Sequence, residues 1–170
     1  MAKRKKSNVG PIDLVFILLA AAGLVFAVVG LFIPWMGRSV GSEVLETSEN
    51  VDSYGLFSDG LKGADFPVGL VQAFAIIGAV LALVCAAGVV IKATKAVKIN
   101  GLVSLLISIA TIAVGVLVAV FSYVLAGDLS VSATIGDVSL ADTTAYPIVG
   151  MYFCAIGTVV SGVMMLLKRN

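Results

Sequence analysis

Glu43, Glu46, Glu49 and Asp52 recur at intervals of three in this 170-residue chain, as a cluster of carboxylates that could meet a ligand.

 Carboxylates at that density attract cations or basic partners. On an extended strand the spacing puts Glu43 and Glu49 on one face and Glu46 and Asp52 on the other. A calcium site needs roughly six to eight converging oxygens, and the stretch lacks the spacing of a known calcium loop. It reads as a solvated acidic rim, with recognition of a basic partner or weak cation accumulation as the functional alternatives.

Other polar groups sit inside apolar surroundings. Ser104, Ser108 and Thr111 share a helical face; they either line a polar path or return their hydroxyls to their own backbone. Gln72, the most polar long side chain within an apolar run, reads as an interhelical hydrogen bonder. Cys85 and Cys154 fall in apolar runs with no Cys-x-x-Cys pair, so they read as small packing residues and no external disulfide is expected. Asp13, two residues after Pro11, suits a first helical turn. The chain has no His, the commonest general base and metal ligand. No acid or base lies in the middle of an apolar run, which argues against proton-coupled pumps and ion-driven transporters. The expectation is a non-enzyme with no catalytic, cofactor-binding or metal-binding residue.

The elements that position these groups are membrane spans. Hydrophobic residues make up 60% of the chain and charged ones 12%, with a mean hydropathy of +1.13. That balance excludes an ordinary soluble domain. Four runs, Leu14 to Ile33, Pro67 to Ile91, Leu102 to Leu125 and Pro147 to Leu167, each approach or exceed the ~20 apolar residues that a hydrocarbon core about 30 Å thick demands. The first ends in Pro34-Trp35 without a small-residue cleavage site and reads as an uncleaved helix. Trp35 is then expected at the outer interface. The chain divides as one integral membrane domain over 1–170, with helices about 12–34, 67–91, 101–125 and 147–167 and outer loops about 35–66 and 126–146.

Charge orients the spans. Nine bases lie at the termini and between runs two and three, against Asp13 alone; nine acids lie in the other two segments, against Arg38 and Lys62. Because short basic loops stay cytoplasmic, both termini are expected inside and the acidic segments outside, in a multi-pass protein of the cell membrane. Small residues recur at helical spacing in every run: Gly23, Ala27, Gly30; Gly78, Ala82, Cys85; Ser104, Ser108, Thr111, Gly115; Gly150, Cys154, Gly157, Ser161. Such stripes let backbones approach where lipid offers no hydrophobic drive for association, and they predict a tight bundle.

Both outer segments carry strand signals. Leu129 to Ile135 alternates apolar with Ser and Thr, Gly136-Asp137 interrupts, and Val138 to Leu140 follows, which reads as a hairpin. In the first segment Val40 to Glu46 and Tyr54 to Phe57 read as strands, with turns at Ser58-Asp59-Gly60 and Lys62-Gly63. Pro67 and Pro147 read as the openings of the second and fourth helices. About four strands would form a stable sheet on the bundle.

In this order the chain resembles the claudin-like tetraspan superfamily, which includes claudins, the peripheral myelin protein group and channel auxiliary subunits. The resemblance rests on Trp35 just past the first helix, Tyr54-Gly55-Leu56-Phe57 in the long first outer loop, a shorter second loop, and Tyr146-Pro147 before the fourth helix. The family motif is Trp, then Gly-Leu-Trp, then two disulfide-bonded Cys; here Phe57 replaces the second Trp and both Cys are absent, as would suit a prokaryotic relative. The resemblance implies an all-α bundle of four transmembrane helices with a small extracytoplasmic antiparallel β-sheet, drawn mostly from the first loop. It also implies that Trp35 and the Gly-Leu-Phe turn sit at the sheet's base. The expected role is recognition or assembly through the outer sheet, as an adhesion-like protein or an accessory subunit of a membrane complex. Its partners would be the lipid bilayer and a second copy or another membrane protein, with no nucleic acid. The alternative is a pore-forming or permeation-modulating protein for small cations.

Overall fold

The computed structural model describes residues 9–42, 47–61, 66–135 and 138–168. Four helices are long and apolar enough to cross a membrane: α1 (Pro11–Gly30), α2 (Val68–Thr94), α3 (Gly101–Asp128) and α4 (Val149–Leu167). Between them lie strands β1 (Pro34–Ser42), β2 (Thr47–Gly55), β3 (Val131–Ile135) and β4 (Val138–Pro147), with a single 3-10 turn at Asp59–Leu61. The chain is a four-helix membrane bundle carrying a small antiparallel sheet at one end.

The small residues set how the helices meet. α4 touches all three other helices and forms the hub. A methyl added at Gly30 would lie 2.5 Å from the Cys154 nitrogen, and one at Gly23 would lie 2.9 Å from the Gly157 carbonyl oxygen. On the opposite side of α4, a methyl at Gly115 would lie 3.0 Å from the Ala155 carbonyl and one at Gly162 3.0 Å from that of Ser108. Backbone thus lies against backbone along both seams, where dispersion contacts supply the association that water would otherwise drive. The outward faces, such as Leu18, Val25, Leu83, Leu106 and Ile109, remain exposed for lipid.

Helix limits depart from the apolar runs in a consistent way. At about 1.5 Å per residue, the 27 and 28 residues of α2 and α3 reach roughly 40 Å, longer than the ~30 Å core. α2 continues to Thr94 because the ammonium of Lys92, counted in sequence as a loop base, finds three oxygen acceptors inside the bundle. It donates to Ser104 Oγ at 2.5 Å, the Lys168 carbonyl at 2.9 Å and the Met165 carbonyl at 3.1 Å. The last two are carbonyls at the C-terminal end of α4 that lack helical partners of their own. α1 stops at Gly30 rather than at 34, since Pro34 already belongs to β1. Pro147 ends β4 and does not open a helix; α4 begins at Val149.

The sheet order is β2-β1-β4-β3, all antiparallel. Each outer loop contributes two strands, and the central pair joins one strand from each loop, Met36 opposite Pro147 through Gly41 opposite Asp142. The first loop supplies two strands of 9 residues each and the second loop strands of 5 and 10 residues, joined through the pairing of β1 with β4. The predicted hairpin is present as β3 and β4, its Gly136-Asp137 turn lying outside the described residues. Gly37 stands across from Tyr146, whose ring covers it; a methyl there would lie 2.7 Å from the ring carbons.

Candidate functional site

Three contacts at the sheet end of the bundle begin in local sequence. Trp35 follows Pro34, the first residue of β1, and its indole N–H donates to the carbonyl of Gly30, one of the orphan acceptors at the end of α1. The ring is fully buried, beside Met36, Leu56, Met151 and Cys154. It sits at the sheet end of the bundle, as an interfacial Trp would, but inside protein rather than facing lipid: Gly150 leaves the space, since a methyl there would lie 2.6 Å from the indole Cδ1. Gln72, near the start of α2, donates from Nε2 to the Leu56 carbonyl at 3.0 Å. It ties an outer turn to a helix, which corrects the interhelical reading; the turn comes within reach because α2 opens directly beneath it. Asp128, the last residue of α3, accepts from the Phe66 N–H at 2.7 Å.

Among the motif residues, Leu56 is buried, Tyr54 and Gly55 are half-buried, and Phe57 is 54% exposed. The turn is thus seated by Leu56 alone, and the placement of Phe57 at the sheet's base is corrected. Tyr54, next to the end of β2, donates its hydroxyl to Asp52 Oδ2 at 3.1 Å, and the strand expected over 54–57 stops at Gly55. Replacing Gln72 by leucine leaves the Leu56 carbonyl without this donor. The expected cost is about 1 kcal/mol, read as a lower unfolding midpoint with faster amide exchange around Leu56 and Leu61; an unchanged midpoint would show that the turn is held without it.

The acidic group resolves only in part. Glu43 and Glu46 lie outside the described residues. In β2 the register runs Val40 opposite Glu49, Ser39 opposite Asn50 and Arg38 opposite Asp52, so Val51 is an extra residue. That bulge shifts the alternation. Positions 49 and 52 consequently fall on the face of β1 shared by Arg38 and Val40, not on opposite faces as an unbroken strand would place them. Asp52 stands directly across from a base and also accepts a tyrosine hydroxyl, which are local roles. Among the described residues, no three His, Cys, Asp or Glu side chains are placed to hold a metal ion.

Apart from Ser104, whose Oγ accepts from Lys92, the buried hydroxyls of α3 return to their own helix. Ser108 donates to the Ser104 carbonyl at 2.8 Å, Thr111 to that of Ile107 at 2.7 Å, and Ser122 to that of Val118 at 2.7 Å. Cys85 and Cys154 are free and buried, Cys85 Sγ lying 3.2 Å from Thr111 Oγ1. At the end opposite the sheet, Asp13 accepts from the Gly10 N–H at 3.2 Å and forms an ion pair with Lys168, joining the start of α1 to the end of α4.

Two groups escaped the sequence reading. Lys92 continues the stripe of Gly78, Ala82 and Cys85 through Val89 at helical spacing, and that periodicity placed it on the buried face. Tyr123 and Tyr152, whose hydroxyls lie 2.6 Å apart on the outer surface of α3 and α4, carry no pairing signal in sequence, because nothing local says that two helices meet there. No family model matches the chain, and no curated protein matches it.

Proposed function

We propose that this chain is a non-enzymatic protein of the cell membrane, both termini cytoplasmic, whose outward sheet mediates recognition or assembly. The observation that supports it best is a sheet built from both loops and seated through Trp35 on a close-packed bundle. A face so held is preorganised, and preorganisation lowers the entropic cost of binding. Its outermost strands, β2 and β3, leave edges where a further strand can add. The layout of four helices with an outer sheet also supports kinship with the claudin-like superfamily. Charge supports the orientation: Lys92, Lys95, Lys98 and Lys168 gather at one end with Asp13, while Asp52, Asp59 and Asp128 gather at the sheet end with Arg38.

Purification of the full chain from native membranes in mild detergent tests the reading. A homo-oligomer or a stoichiometric membrane-protein partner is expected; repeated recovery of a bare monomer would count against it. The cation-permeation alternative draws little from the bundle, because Ser108 and Thr111 donate their hydroxyls to α3 carbonyls and Ser104 Oγ accepts from Lys92.

A further inference from the structure

At the end of the bundle away from the sheet, the turn joining α2 to α3 borders a half-open cavity of about 290 Å³ lined by Lys92, Lys95, Val97 and Lys98. We propose that this cavity binds a phosphate group, a chemistry shared by the headgroup of an anionic membrane lipid and by a soluble phosphate. The inference is independent of the role given to the outer sheet.

Charge carries the first step. Lys92 is 7% exposed, and all three of its ammonium protons go to neutral oxygens of Ser104, Met165 and Lys168. Among the described residues no carboxylate bonds to it, and a buried unpaired charge is costly unless an opposite charge arrives. Asp13, the one acidic side chain at this end among the described residues, is ion-paired with Lys168. Lys95 and Lys98 add two exposed ammonium groups on the open side of the same cavity. α3 then begins at Gly101, and the positive end of its 28-residue dipole adds to the field.

The geometry supplies the second step. Lys95 caps α2 in the left-handed region, with φ of 52° and ψ of 30°, where glycine is the usual residue. A lysine is thus held at a strained position on the cavity wall. The volume lies near the ~300 Å³ lower bound for small-ligand sites, enough for a headgroup and not for its acyl chains. Val97, 65% exposed, adds apolar surface to the basic wall near the end of α2. An apolar lip beside a basic pocket suits a ligand with a charged head and a greasy tail.

The test uses the full chain in a neutral detergent, with native mass spectrometry to count retained ligand and thermal unfolding as a second readout. Phosphatidylglycerol, phosphatidylcholine and inorganic phosphate are titrated separately. The expected result is one tightly retained phosphatidylglycerol per chain, and about 30-fold weaker binding in the Lys95→Gln/Lys98→Gln double variant, as loss of two lysine contacts at a membrane surface implies. Selective retention of inorganic phosphate, lost in the same variant, supports the site and assigns it to a soluble source. Two results overturn the proposal: phosphatidylglycerol held no better than phosphatidylcholine with no phosphate bound, or undiminished binding in the double variant. If that variant unfolds without ligand at a lower temperature than the parent, the Lys95→Gly/Lys98→Gln pair replaces it, because glycine suits the left-handed position.

Discussion

Replacing Gly157 by alanine is expected to destabilise the bundle by at least about 3 kcal/mol, the upper end of the range for overpacking a tight interior. The added methyl would fall on the Ala27 nitrogen and the Gly23 carbonyl oxygen of α1, atoms that cannot swing aside as a flexible side chain can. α1 must back away from α4, and the contacts of Gly23 and Gly30 along the same seam loosen with it. Gly157→Leu extends the clash and is expected to prevent folding. Gly69→Ala is the matched control, since nothing lies within 4 Å of its added methyl; it should be neutral or stabilising by up to about 1 kcal/mol. Unfolding in mixed micelles of rising denaturing-detergent fraction gives both values on one scale. Equal midpoints for the Gly157→Ala and Gly69→Ala proteins would mean that α1 and α4 do not meet in this way.

Trp35→Ala should cost about 3–5 kcal/mol, the usual range for emptying a buried large aromatic site. The indole fills the space between the sheet's first strand and the start of α4, where Ile148 donates its N–H to the Trp35 carbonyl at 2.8 Å. Removing the ring unseats the central pair β1 and β4 together, so amide exchange should accelerate across both strands and less in α2 and α3. Trp35→Phe keeps most of the packing and deletes the donor to Gly30, for an expected loss of about 1–2 kcal/mol, part hydrogen bond and part volume. A loss under about 1 kcal/mol for the alanine variant would place the ring in lipid instead of in this seat.

Much of this fold was legible in particular residues. The stripes through Gly23, Ala27 and Gly30 and through Gly150, Cys154, Gly157 and Ser161 are all buried along the α1 and α4 contact. Period-two alternation on either side of Gly136-Asp137 marked β3 and β4. The misplacements share a cause. Lys92 looked like a loop base because hydropathy weighs a residue alone, whereas its acceptors come from α3 and α4. Gln72 looked interhelical because the turn at Leu56 lies 16 residues upstream, with nothing local to bring it near. Phe57 took its expected place from a family motif, and in the folded chain Leu56 occupies that seat.

By itself, the sequence determined the number of spans, their spacing, the charge difference between the two ends and the residues narrow enough for close helix contact. Each of these follows from local quantities: run length against membrane thickness, charge per loop and side-chain volume. Only the tertiary structure decided that β1 pairs with β4, that a bulge at Val51 turns positions 49 and 52 to one face, and that Lys92 sits buried above a basic cavity. These depend on strand register and on backbone carbonyls supplied by distant segments, and no single stretch of chain specifies either.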